Sequence, residues 1–210
     1  MKRTLLVIGA HAADFVWRAA GTIAVVTSQG GNATVIALSY GERGESGELW
    51  KEPDQTVENV KRIRHQQASQ AAEILGATFG CLDLGDYPLN ISDAALEEIV
   101  ALFRDLQPDV VLTHTPKDPF NPDHPVACQA VQKARLLASG AGVASAFERI
   151  TPPDLYFFEP HQPELCEFEP NTFVDITPVM EQKRKAMECM KAQSYLQNYY
   201  TELASRRGNH

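Results

Sequence analysis

Residues 4–16 read Thr4-Leu5-Leu6-Val7-Ile8-Gly9-Ala10-His11-Ala12-Ala13-Asp14-Phe15-Val16. The five residues from Thr4 to Ile8 form a short, almost wholly apolar run, the signature of a strand buried on both faces. Gly9-Ala10 ends it. From Phe15 the period changes: Val16, Ala19, Ala20, Ile23 and Val26 recur at helical spacing until Gly30-Gly31 stops them. A buried strand followed by a tight polar turn and a helix is the first half of a βαβ unit.

The same rhythm continues down the chain. Ala33 to Leu38 is predicted as a second strand, followed by a polar, Gly-rich loop over residues 39–55. Thr56 is placed to cap a helix running to Leu75, with Gly76 as its stop. Thr78 to Leu82 reads as a third strand, Asp93 to Leu106 as a helix, and Asp109 to Thr113 as a fourth strand. Asp123 is expected to cap the next helix, with Pro125 in its first turn. Alternation of this kind predicts an α/β fold, a Rossmann-like three-layer sandwich with a mostly parallel central sheet and right-handed crossovers. From about residue 150 the pattern loosens. Residues 155–158 and 173–176 are predicted as two more strands, and Thr177-Pro178 as the start of a long helix carrying Met180, Met187, Met190 and Tyr195, its methionines serving as core filler.

The 210 residues fit one domain spanning 1–210. An apolar share of 44% and a charged share of 22% are ordinary for a globular chain and exclude disordered and collagen-like classes. The net charge of −8, with no dense Lys/Arg stripe, argues against nucleic acid as a partner. Four scattered cysteines, with no CxxC, suit free thiols in a reducing cytoplasm. Lys2-Arg3 ahead of a short apolar run is no export signal, because His11 and Asp14 interrupt it, and nothing approaches a membrane span. Neither GxGxxG nor a Walker A sequence follows the first strand, and no GxSxG elbow is present, which disfavours nucleotide binding and serine hydrolysis.

Ligands of an open parallel sheet gather outside the carboxyl ends of its strands. Three polar clusters fall there: residues 9–14, residues 39–46 and residues 114–124. His11 and Asp14, three apart in a tight turn, can face one ion, and His124 can supply a third ligand. Two imidazoles and a carboxylate describe a catalytic zinc or a non-haem iron site. Read from spacing alone, the same residues also suit a helix cap at Asp14 and hydrogen-bonded loop histidines.

Three motifs carry a family resemblance. Ala10-His11-Ala12-Ala13-Asp14-Phe15, Gly41-Glu42-Arg43-Gly44-Glu45 and Pro122-Asp123-His124 resemble, in order and placement, the AHPDDE, GExG and PDH signatures of the PIG-L/LmbE-like zinc de-N-acetylases. The resemblance implies one zinc per chain, or another divalent metal, on His11, Asp14 and His124. Two departures stand out. The deacetylases' general base, the first Asp of HPDD, corresponds to Ala13, and a further family histidine corresponds to Asn121.

Within the family, residues 11–18, 38–46, 118–125, 159–163 and 191–195 are similar to the 4-oxalomesaconate hydratase branch. That branch adds water across the C=C of a tricarboxylate in gallate and protocatechuate breakdown, giving 4-carboxy-4-hydroxy-2-oxoadipate. The expected enzyme is a cytoplasmic, homo-oligomeric hydro-lyase acting on a small anionic substrate. The alternatives are a zinc de-N-acetylase or amidase, and a metal-binding relative that has lost its chemistry. Glu45 is the first choice for base and Glu42 the second, with His114 as an acid/base or a support. Arg43 and Arg18 are candidates to clamp carboxylates, and Tyr40, Asn121 and His161 to bind substrate. Chains of that branch continue some tens of residues further, which implies a missing C-terminal segment.

Overall fold

The computed structural model describes residues 2–209. Five strands, β1 (Thr4–His11), β2 (Asn32–Ser39), β3 (Thr78–Cys81), β4 (Val110–Thr113) and β5 (Asp154–Phe157), form one sheet in the order β3-β2-β1-β4-β5. Every neighbouring pair is parallel. The order reverses between β1 and β4, so the crevice of the sheet opens at the carboxyl ends of those two strands.

Side-chain alternation along β1 sorts the core into two halves. Leu5 and Val7 point into one apolar cluster, which also takes in Phe15, Trp17, Ile23, Leu75 and Met187. Leu6, Ile8 and Ala10 point into the other, with Ile99, Phe103, Val111 and Val131. Helices α1 (Asp14–Arg18), α2 (Ala20–Ser28), α3 (Val57–Ile74), α6 (Met180–Glu188) and α7 (Leu196–Arg207) contribute to the first half. Helices α4 (Asp93–Leu106) and α5 (Asp123–Ser139) cover the second. The expected three-layer α/β sandwich is therefore present.

Local signals explain most boundaries. Thr56 caps α3 by accepting from the Asn59 N–H, and Gly76 follows the helix with φ +70°. Ser92 caps α4 over the predicted span. The single helix expected from Phe15 is instead two, α1 and α2, offset at Ala19.

Three expectations are corrected. Asp123 is the first helical residue of α5, behind Pro122, and does not cap it. Its carboxylate turns away to accept from the N–H groups of Tyr87 and Leu89. Residues 173–176 are not a strand: Phe173 and Val174 lie exposed, and only Ile176 packs inward, against Gly21, where a Cβ would meet its side chain at 2.6 Å. The long helix from Thr177 is broken at Met190, whose ψ of 60° leaves the helical region. A 3-10 turn over Thr177–Val179 leads into α6, and a second over Lys191–Gln193 leads towards α7. The break buries Met187, Met190, Ala192 and Gln193 together, which one straight helix would not do. Tyr195, expected on that helix, lies just ahead of α7 and is 67% exposed.

Candidate metal centre

The crevice between β1 and β4 is lined by the residues that end those strands. β1 delivers His11, the turn after it Asp14, the loop after β4 His114 and Asp118, and the first turn of α5 His124. All five are buried, His11 and His124 to within 2% of full enclosure. Candidate ligand atoms of His11, Asp14 and His124 lie within 4.8 Å of one another.

Each ligand is held from behind by a second group. His124 Nδ1 donates to Asp118 Oδ2 at 2.7 Å, which turns Nε2 forward. Asp118 is fixed in turn, since its Oδ1 accepts from the N–H groups of Phe120 and Asn121. His11 Nε2 stands 3.3 Å from Asp123 Oδ2, leaving Nδ1 forward. Asp14 Oδ2 accepts from the His11 N–H at 2.7 Å and sits 3.0 Å from His114 Nε2. Its Oδ1 is thereby left towards His124 Nε2, 3.6 Å away. Carboxylates behind ligating imidazoles are what fixes ring orientation and basicity in metal sites. His114 also stacks on His124, with centroids 3.9 Å apart, and backs Asp14 from inside the fold.

The donor set fits a divalent metal. His11 Nδ1 and His124 Nε2 are buried with no hydrogen-bond partner, an expensive state for two polar atoms unless something binds them. The electrostatics agree. Burial opposes charge on His11, yet Glu45, Asp123 and Asp14 outweigh it and raise its pKa to about 10. The site therefore welcomes positive charge. Burial, with the charges of His114 and Arg18, lowers the pKa of His124 to about 3, keeping it neutral as a ligand must be. Asp14 stays well below the usual carboxylate range: burial opposes this, but the neighbouring His114 and His124 prevail. Two imidazoles and one carboxylate form the three-residue set of a catalytic zinc site.

The family model described as PIG-L: GlcNAc-PI de-N-acetylase matches residues 6–135, more than half of the chain and the whole of this centre. The chain belongs to the PIG-L family. It is 45% identical over 207 residues to the 4-oxalmesaconate hydratase of Pseudomonas putida, covering 99% of this chain and 80% of that one. The crystal structure of GalB, the 4-carboxy-2-hydroxymuconate hydratase of the same species, superposes with a TM-score of 0.96 at 46% identity, covering 98% of this chain and 86% of the other. A deacetylase is more distant. The diacetylchitobiose deacetylase of Thermococcus kodakarensis is 28% identical over 200 residues, covering 91% of this chain and 70% of its own. In this PIG-L chain Ala13, where the motif resemblance puts the deacetylase base, is 1% exposed and ends the turn that leads into α1.

Around the centre the candidate residues divide. Glu45 is at the mouth, its Oε1 3.7 Å from His11 Nδ1. Asn121 Nδ2 donates to that oxygen at 2.8 Å, so Asn121 supports Glu45. Gly41 makes the approach possible: at φ +69°, a Cβ there would sit 2.9 Å from that of Glu45 and 3.2 Å from that of His11. Arg18 is beside the centre rather than on the solvent face, its Nε buried, without a hydrogen-bond partner and 3.9 Å from Asp14 Oδ1. His161, half-buried on the loop after β5, packs against Tyr199 and Tyr200 and lies within the electrostatic reach of Arg18.

The other three candidates point elsewhere. Glu42 is buried with its Oε1 3.8 Å from Lys61 Nζ, and its raised pKa follows from burial and the Asp86 charge. Tyr40 packs on the first apolar cluster, with its hydroxyl against Cys81. Arg43 is exposed and donates to the Asp86 carbonyl, while its own N–H and that of Gly44 go to the Asp86 carboxylate. That carboxylate pins the loop. Sequence reasoning missed Asp118 and Asp123 as supports, although both stand inside the segment that carries His124. It also gave no role to Arg64, which has no local signal beyond being a polar residue in a helix, or to Gln193, although the resemblance of residues 191–195 to the hydratase branch was the signal that could have found it.

Proposed function

We propose that the chain is a metal-dependent hydro-lyase that adds water across the C=C of 4-oxalomesaconate, giving 4-carboxy-4-hydroxy-2-oxoadipate. The observation that carries this reading is the 45% identity to a named hydratase over 99% of the chain, with the site residues inside it. The names 4-oxalmesaconate and 4-carboxy-2-hydroxymuconate describe keto and enol forms of one tricarboxylate. The absence of a carboxylate at Ala13 supports the same reading against amide hydrolysis, since a general base contributes about 10²–10⁴-fold.

His11, Asp14 and His124 would hold the metal, and zinc suits their donor set. When bound, the ion would supply Lewis acidity towards a substrate oxygen or a water. The chain's own residues do the rest. Glu45, the carboxylate next to His11 Nδ1, takes a proton from the attacking water. Arg18, with an unpartnered buried donor, binds a substrate carboxylate. His161, half-buried on the loop after β5 and within the electrostatic reach of Arg18, is the candidate to deliver a proton to carbon. His114 holds Asp14, Asn121 holds Glu45, and Glu42, Tyr40 and Arg43 shape the loop that carries Glu45. An acidic tricarboxylate, with no nucleic acid and no membrane, is the partner this site asks for. No helix among the described residues is long and apolar enough to cross a membrane. One domain over the whole chain, homo-oligomeric and cytoplasmic, remains part of the proposal.

The test is a side-by-side assay of the zinc-loaded protein with 4-oxalomesaconate and with N-acetyl sugars. Loss of the substrate's ultraviolet absorbance without acetate release is expected, and Glu45→Gln should slow it by at least ~10² with zinc content unchanged. Acetate release without hydration would overturn the reading.

A further inference from the structure

Both oxygens of Glu45 are held by side-chain amides, and the two amides come from different parts of the molecule. Asn121, which holds Oε1, lies inside the region matched by the family model. Gln193, whose Nε2 donates to Oε2 at 2.7 Å, lies far outside it, on the 3-10 turn Lys191–Gln193. Gln193 is 3% exposed. Its Oε1 accepts from Arg64 at 3.1 Å, with Trp17 Nε1 at 3.5 Å.

These partners fix which way the amide faces. Arginine and tryptophan side chains only donate, so a flipped amide would set its NH₂ against two N–H groups and leave Glu45 Oε2 without a donor. Arg64 is itself fully buried and also donates through Nε to the Tyr40 carbonyl, at the root of the loop that carries Glu45. One guanidinium thus anchors both the loop presenting the carboxylate and the turn presenting its amide.

A competing arrangement shows why an amide is needed there. Arg18 and Arg64 are both buried within the electrostatic reach of Glu45. A glutamate side chain free to rotate would pair with one of them, and its carboxylate would leave the metal mouth. Gln193 stands between Arg64 and Glu45 and occupies Oε2, so Oε1 stays beside His11.

We propose that Gln193, set by Arg64 and Trp17, is a positioning residue that holds Glu45 in its reacting geometry. The proposal rests on the reading of Glu45 as base. It makes the segment after α6 part of the reaction machinery and accounts for the break at Met190, which brings Gln193 to the site.

The test is a double-mutant cycle on the zinc-loaded enzyme, with Glu45→Gln, Gln193→Leu, the double variant and Gln193→Glu. Gln193→Leu should lower kcat about tenfold with KM changed less than about twofold, because a misplaced base costs rate rather than binding. In the Glu45→Gln background the same change should cost nothing further. Gln193→Glu keeps an acceptor for Arg64 but offers Glu45 Oε2 no donor, so it should be at least as slow as Gln193→Leu. It also keeps the cycle usable if the leucine variant does not fold. Equal losses in both backgrounds would overturn the proposal, as would a raised KM at normal kcat or a Gln193→Glu enzyme faster than Gln193→Leu. A slow Glu45→Gln enzyme with a normal Gln193→Leu enzyme removes only the role of Gln193. A near-normal Glu45→Gln enzyme removes the base assignment itself, and the proposal with it.

Discussion

Asp118 shows how a residue that touches no reacting atom can still set a site's affinity. It accepts the Nδ1–H of His124 and two backbone N–H groups, so one carboxylate orders both a ligand and the loop before it. Asp118→Asn removes the charge and turns one of the two accepting oxygens into an NH₂ donor, so either His124 or the two backbone N–H groups lose their acceptor. Zinc affinity should fall by about 10-fold, near the lower end of what such outer partners contribute, and saturating zinc should restore most of the activity. Competition with a chromophoric chelator measures the first and steady-state assay the second. Unchanged affinity would mean that the backbone alone orients His124. At this scale the sequence was legible where chemistry is local. His11 and Asp14 share one turn, and His124 opens a helix. Arg64 and Gln193 meet only through the tertiary fold, 129 positions apart, and nothing in the spacing of either residue announces the other.

Helix α6 carries a different kind of information. Lys183 lies on it with 7% of its surface exposed, and burial pushes its pKa down to about 8, Glu159 opposing only in part. Glu159 is already engaged by Arg207 of α7, so the ammonium is poorly matched. The linkage has a definite sign. Between about pH 8 and 10.5 the unfolded chain holds this proton and the folded chain does not, so the contribution of Lys183 to stability rises with pH across that window. Below it the full cost of burying a charge applies. Lys183→Met should therefore stabilise the fold at pH 7 by ~1–2 kcal/mol and flatten the rise above pH 8, as followed by chemical denaturation at several pH values. A lower denaturation midpoint for the methionine variant at pH 7 would mean that the ammonium is compensated. The same region is where periodicity misled. Thr177 to Tyr195 carries methionines at helical intervals, but burying Met190 and Gln193 together required the chain to turn. Phe173 and Val174 have the composition of a strand but pair with no strand of the sheet and lie exposed.

Across the whole molecule, β1, the turn after it and α5 bring the three candidate ligands together, while the two apolar clusters on either side of the sheet provide the fold's stability. The supporting carboxylates hold His11 and His124 in place through the protein's own hydrogen bonds, so the metal-free chain should be folded and already shaped to bind. Metal would then add stability by mass action alone, since an ion that binds only the native state contributes RT ln(1 + [L]/Kd), or about 2.7 kcal/mol at a free concentration of 100 Kd. For a domain of this size, 1 kcal/mol moves the melting temperature by about 2–4 °C, so zinc at that level should raise it by ~5–11 °C. Chelation should reverse the gain while leaving the far-ultraviolet circular dichroism unchanged. His124→Ala removes a ligand and should abolish most of the rise. A variant far from the crevice, Leu136→Ser on the exposed side of α5, should keep it. A chain that loses its secondary structure on chelation would show instead that the ion helps to build the fold. The carboxylates behind the histidines would then be arranged by the metal, rather than waiting for it.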